Sequence, residues 1–267
     1  MLSDDDAFRL NALKQVARYA VKANFNDTPA ALSKPIYKKI ARACGISDPY
    51  GEQKRSSNLR AIKLLPQVSK YIAKNRDSLQ AALHVAAAGN IIDFGIAGHS
   101  FNIEREFRKV MQQKFAINAI KEFRKELKKG NTILYICDNS GEIVFDTLLI
   151  KELLKFEVNV TAVVKAAPII NDATFEDAKM AGMTKLVPVI TTGGDDVGIN
   201  WKNVSKKFMA YVKKADCIIA KGQGNFETCN ERKENFFFLL KAKCPVVARE
   251  LKARLYDLIF WHNRVDR

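Results

Sequence analysis

Apolar positions recur every three or four residues through the first third of the chain, then collapse into short unbroken runs. The segments "DDDAFRLNALKQVARYAVKANF", "TPAALSKPIYKKIARACG" and "EQKRSSNLRAIKLLPQVSKYIAKN" carry the first pattern, which is that of amphipathic helices. Thr28 before Pro29 reads as a helix N-cap followed by proline at the first helical position. "SDPYGE" reads as a turn, and "DSLQAALHVAAAGNIIDFG" starts as an Ala-rich helix that meets Gly89-Asn90. No β-branched run in residues 1–125 reads as a strand.

From residue 131 the period changes. "TILYIC", "NVTAVV", "KLVPVI", "CIIA" and "PVVA" read as buried strands. "GEIVFDTLLIKELLKF", "FEDAKMAG" and "NVSKKFMAYVKKA" read as the helices between them. This alternation predicts an α/β fold, a parallel sheet covered on both faces. The expected division is a helical region, 1–130, over an α/β domain, 131–267, with the boundary near Gly130. "FFFLL" at 236–240 reads as core.

Ligands of an open parallel sheet bind beyond the carboxyl ends of the strands. "TILYIC" runs into Asp138-Asn139-Ser140-Gly141-Glu142, "NVTAVV" into Lys165 and then Asn171-Asp172. "KLVPVI" runs into "TTGGDDVG", and "CIIA" into Lys221-Gly222-Gln223-Gly224-Asn225. One edge is therefore expected to gather carboxylates (Asp138, Asp172), amides (Asn139, Asn171, Asn225), lysines (Lys165, Lys221) and glycines. Oxygen donors suit a divalent cation such as Mg, Mn or Co. Lysines and backbone N–H groups of Gly-rich turns suit phosphate. Taken singly, Asp138-Asn139 and Asn171-Asp172 read as ordinary helix caps, and Asp195-Asp196 as a turn; their joint placement points to phosphoryl chemistry.

Charge and cysteine content narrow the alternatives. The net charge is +15, from 44 Lys and Arg against 29 Asp and Glu, spread along the chain without a block of five like charges. That is a Lys-rich solvated surface rather than a nucleic-acid interface, and no stacking pattern of aromatic and basic residues accompanies it. The five cysteines form no C-x-x-C pair, which fits neither a disulfide framework nor a structural zinc site. Cys137 and Cys217 sit in apolar runs, as small core residues do. No apolar run reaches the ~18–20 residues of a membrane span, and the acidic "MLSDDDAFRL" is unlike a signal peptide. A cytoplasmic protein without a membrane partner is expected. His84, His99 and His262 form no H-x-x-x-H pair and no triad with serine and aspartate.

At the strand-end motifs the chain resembles a known family. "CDNSGEIVFDTLLIKEL", "VVKAAPIINDATFEDAKMAG", "ADCIIAKGQGNFET" and "LLKAKCPVVAREL" are similar to the DUF89 metal-dependent damage-control phosphatases. "TPAALSKPIYKKIARACGISDPYGEQKRSSN" and "AAGNIIDFGIAGHSFNIE" match its prokaryotic branch. The resemblance covers roughly residues 27–251. It implies a Rossmann-like, parallel-rich sheet flanked by helices, with an all-helical N-terminal region covering the site.

The resemblance also implies catalytic and metal-binding roles for Asp138, Asn139 and Asp172, and a divalent metal (Mn, Co, Ni or Mg). Asn90 and Asp93 fall on its GN-x-x-D motif. Lys165 and Lys221 fall on its lysine motifs; with the strand-end residues Glu142, Asn171, Gly222, Gly224 and Asn225, and with Asn90 and Asp93, they make the expected substrate-binding set. The partner is a small phosphorylated metabolite, a sugar phosphate or a damaged phosphometabolite, hydrolysed at its phosphomonoester bond. The nucleophile is left open between water and Asp138. An S-adenosylmethionine-dependent carboxyl methyltransferase is the alternative. Departures are the absence of the N-terminal Cys-x-x-Cys frequent in that branch, Ser140 in place of Ala, Ala166 in place of Gly, and the tail "ARLYDLIFWHNRVDR".

Overall fold

The computed structural model describes residues 5–21, 29–89 and 113–264. The N-terminal helices are α1 (Asp6–Ala20), α2 (Pro29–Cys44), α3 (Gly51–Lys74) and α4 (Ser78–Ala88). Their starts follow local chemistry: Asp5 and Asp77 cap α1 and α4 through their side chains. The Ala-rich α4 is buried along most of its length, as its lack of a polar face requires.

The sheet has seven strands, β1 (Phe115–Asn118), β2 (Thr132–Ile136), β3 (Asn159–Val164), β4 (Val189–Thr191), β5 (Cys217–Lys221), β6 (Phe236–Lys241) and β7 (Leu258–His262). Their spatial order is β1-β7-β6-β5-β2-β3-β4, and every pairing except β6–β7 is parallel. The connecting helices are α5 (Ile120–Glu126), α6 (Glu142–Leu154), α7 (Phe175–Met180), α8 (Lys206–Lys214), α9 (Gln223–Cys229) and α10 (Pro245–Glu250). Alternate residues of β2 enter opposite cores: Ile133 and Tyr135 join α4 and α6, while Leu134 and Ile136 join α8 and α9. Both faces are covered, which is why the central strands read as unbroken apolar runs.

Three expectations need correction. A strand, β1, does lie in residues 1–125; it is short and pairs with β7, and its alternating burial gave no apolar run. "PVVA" is helix α10, not a strand: Pro245 occupies the first turn, and Val247 and Ala248 are buried while Val246 is exposed. In "KLVPVI" the ladder begins only at Val189, because Pro188 has no N–H to donate, and Met183–Lys185 form a 3-10 turn. "FFFLL" is core, as expected; it forms β6, which pairs antiparallel with β7 of the divergent tail. None of the helices among the described residues is long and apolar enough to cross a membrane.

Candidate active site

β2, β3 and β5 are parallel neighbours in register, so their carboxyl ends point the same way. Asp138 and Asn139 follow β2, Lys165 follows β3 directly, and Lys221 is the last residue of β5. The loops beyond are laced by backbone. Ser140 N–H donates to Asn171 O (2.9 Å), Ala173 N–H to Asp138 O (2.8 Å) and Lys165 N–H to Ala173 O (2.9 Å). Asn139 and Asp172 form a single antiparallel bridge. Residues 33 positions apart are thereby fixed side by side, and Asp138, Asn139 and Asp172 share one site.

Two glycines make the approach possible. Gly222 has φ +81°, and a Cβ there would fall 2.0 Å from Asp138 Oδ2, so the aspartate lies directly on the β5–α9 turn. Gly141 has φ +79°, and a Cβ there would press on Ser57 of α3 at 3.2 Å.

Behind these residues runs a buried chain of charges. Asn139 Nδ2 donates to Asp138 Oδ2 and to Glu142 Oε1, both at 2.8 Å. The Lys221 ammonium lies 2.7 Å from Asp146 Oδ1 and 3.4 Å from Glu142 Oε2. Tyr135 OH donates to Asp146 Oδ1 at 2.7 Å. Lys165 is paired with Asp172 at 3.5 Å and donates to Gly198 O. Both lysines are almost wholly buried. Each is therefore held by the acidic cluster rather than displayed on the surface.

The electrostatics follow from that burial. Burial, then the neighbouring carboxylates of Glu142 and Asp172, push the Asp138 carboxyl well above its ordinary range. Burial also raises Asp146 against the pull of Lys221, and raises Asp172 against the pull of Lys165 and Lys54. Burial pulls the Lys221 ammonium down, and Asp146 and Glu142 together outweigh it, leaving it above its ordinary value.

The donor set fits a divalent cation. Asp138, Glu142, Asp146 and Asp172 set four carboxylates against the two ammonium groups of Lys165 and Lys221, and a dication would balance the remainder. Asn225 Oδ1, whose amide nitrogen donates to Cys137 O and Lys221 O, is a buried acceptor without a partner among the described residues. Among those residues no three His, Cys, Asp or Glu side chains converge on a metal position by themselves. The fit therefore needs the amide oxygen of Asn139 beside Asp138 and Asp172.

The other expected residues are distributed as follows. Asn171 contributes its carbonyl to Ser140, as acceptor from both N–H and Oγ. Gly224 packs against Gly198 and Val197. Asn90, Asp93 and His99 lie outside the described residues, as does Thr28. His262 is on β7, with Nε2 2.7 Å from Asn235 Oδ1, and His84 faces Gln80 O.

Sequence reasoning missed five residues. Asp146 and Tyr135 are embedded in apolar runs; a lone carboxylate inside "EIVFDTLL" was the available signal. Lys54, Asn58 and Asp177 form a second buried polar group above Asp172, with Lys54 Nζ 3.0 Å from Asp177 Oδ2. Asp195 and Asp196, read as a turn, are ion-paired with Lys34 (2.5 and 3.0 Å), and Asp195 also with Lys38 (2.6 Å).

Comparison with known proteins shows the family. A damage-control phosphatase from Pyrococcus horikoshii is 40% identical over 99% of this chain and 92% of its own length. A damage-control phosphatase from Archaeoglobus fulgidus is 35% identical over 88% of this chain and 84% of its own. The crystal structure of a DUF89 family protein from Pyrococcus horikoshii superposes with a TM-score of 0.88 at 41% identity, covering 98% of this chain and 92% of that one. The family model of the damage-control phosphatase ARMT1-like domain matches residues 1–259. With the shared fold and the acid-rich strand edge, these matches place the chain in the damage-control phosphatase ARMT1-like, or DUF89, family.

Proposed function

We propose that this chain is a metal-dependent phosphatase acting on a small phosphorylated metabolite at the carboxyl edge of β2, β3 and β5. The observation that carries the reading is the convergence of Asp138, Asn139 and Asp172 in a buried cluster richer in carboxylates than in cations. These three residues would hold the cation, with Mn, Co, Ni and Mg as candidates. A bound cation supplies Lewis-acid polarisation of the phosphoryl oxygen.

The chain's own residues do the rest. Lys165, beside Asp172, offers a positive charge where negative charge grows on the phosphoryl group. Lys221, locked by Asp146 and Glu142, holds Asn139 in place through Glu142 rather than reaching out to substrate. In the net reaction water oxygen bonds to phosphorus and the bond from phosphorus to the ester oxygen breaks. One proton of the water ends on the released alcohol. A damaged phosphometabolite is the substrate class that the relatives' name favours, and a sugar phosphate is the further candidate from the motif resemblance. No observed contact favours the methyltransferase alternative, since the turn after β2 presents an Asp-Asn pair instead of an open glycine loop.

The test is phosphate release from a panel of sugar phosphates and nucleotides by metal-stripped protein, with each metal restored singly. Release is expected only with metal. Asp138→Ala is expected to abolish it while the circular dichroism spectrum stays native. Undiminished release by that variant would overturn the site.

A further inference from the structure

We infer that Asn58, on α3, is a positioning residue that sets the spacing of the two metal-binding loops. The inference rests on the metal reading above. Asn58 is wholly buried and bridges elements far apart in sequence. Its Oδ1 accepts from Gly141 N–H at 2.6 Å, in the turn that carries Asp138 and Asn139. Its Nδ2 donates to Asp177 Oδ1 at 2.8 Å. Asp177 Oδ2 in turn accepts from Thr174 N–H (2.8 Å) and Oγ1 (2.7 Å), which closes the loop containing Asp172. Lys54, one helical turn before Asn58, balances Asp177 at 3.0 Å.

The chemistry selects asparagine. One side chain must accept from a buried backbone N–H on one side and donate to a buried carboxylate on the other. Alanine leaves the Gly141 N–H without its partner. Aspartate keeps that acceptor but loses the donor and sets a second negative charge against Asp177. Groups that orient metal ligands from behind tune affinity by about 10- to 100-fold. Asn58 holds no ligand directly; it holds the two loops on which the three stand, from an element that contributes none.

The experiment is calorimetric titration of the metal-stripped full chain with Mn²⁺. The variants are Asn58→Ala, Asn58→Asp, and Val68→Ala, which removes buried apolar contact further along α3. Both Asn58 variants are expected to weaken Mn²⁺ binding about tenfold or more, with Val68→Ala unchanged despite its lower stability. If Asn58→Ala does not fold, Asn58→Asp carries the reading. Wild-type affinity in a folded Asn58 variant, or an equal loss in Val68→Ala, would overturn the positioning role and leave the phosphatase reading standing. A wild-type chain that takes no Mn²⁺ would overturn both.

Discussion

Two parts of this molecule rely on lysine–aspartate pairs and use them differently. At the strand edge, Lys221 and Asp146 are almost fully buried and belong to a chain that reaches Asp138 through Glu142 and Asn139. Between α2 and the loop after β4, Lys34 and Lys38 clasp Asp195 and Asp196 near solvent, and the Lys38 side chain is 45% exposed. In the first place water has been removed, so each charge depends on its partner and cannot be deleted alone. In the second, Lys34, Asp195 and Asp196 are partly covered while water and salt compete directly for Lys38, so the Lys38 pair adds little. The interior network ties the loop after β2 to β5 and α6; the clasp adds a contact between α2 and the loop after β4.

The largest effect that would break this contrast is expected from Lys221→Met. Removing one partner of a buried pair should cost about 3–5 kcal/mol in urea unfolding. Adding Asp146→Leu should recover part of it, because the stranded carboxylate goes too. A loss under about 1 kcal/mol, the scale of an exposed pair, would show that the two regions are alike.

A middle effect is expected from Gly222→Ala. Its backbone lies in a region almost reserved for glycine, so strain of about 1–3 kcal/mol is expected. The new methyl also displaces Asp138, so Mn²⁺ affinity should fall with stability. Unaltered affinity would mean that the aspartate is not held where the turn places it.

The smallest effect belongs to the clasp. A double-mutant cycle on Lys38→Ala and Asp195→Ala should give a coupling of about 0.2–1 kcal/mol that vanishes in 1 M salt. Partial burial pushes the Asp195 carboxyl up, while Lys34 and Lys38 pull it further down, to a net value below the ordinary one. A depressed carboxyl stabilises the fold above its unfolded pKa of about 3.9 and loses that contribution as pH falls through its lower folded value. Amide exchange in α2 should therefore quicken below about pH 4. Exchange that is flat across that window would remove the clasp from the account.

The juxtaposition of the candidate residues was largely legible in the sequence. Asp138, Asn139 and Asp172 could be nominated because apolar runs ended on polar residues, and a parallel sheet puts such ends on one edge. The α10 segment misled because four apolar residues carry no period of their own, and proline at a helix start looks like proline at a strand edge. β1 was missed because its partner, β7, lies 142–143 residues away in a segment whose pairing no local pattern signals.

The sequence by itself determined the class of fold, the faces of the long helices and the residue types at the strand ends, since these follow from period and local chemistry. Only the tertiary structure decided that Lys221 is bound to Asp146 instead of facing outward. It alone decided that Asn58 spans both loops, and that Asp195 and Asp196 hold α2. The physical reason is common to all three. A charged or amide side chain takes its role from the partner that burial forces on it, and that partner is chosen by packing across the chain rather than by its neighbours in sequence.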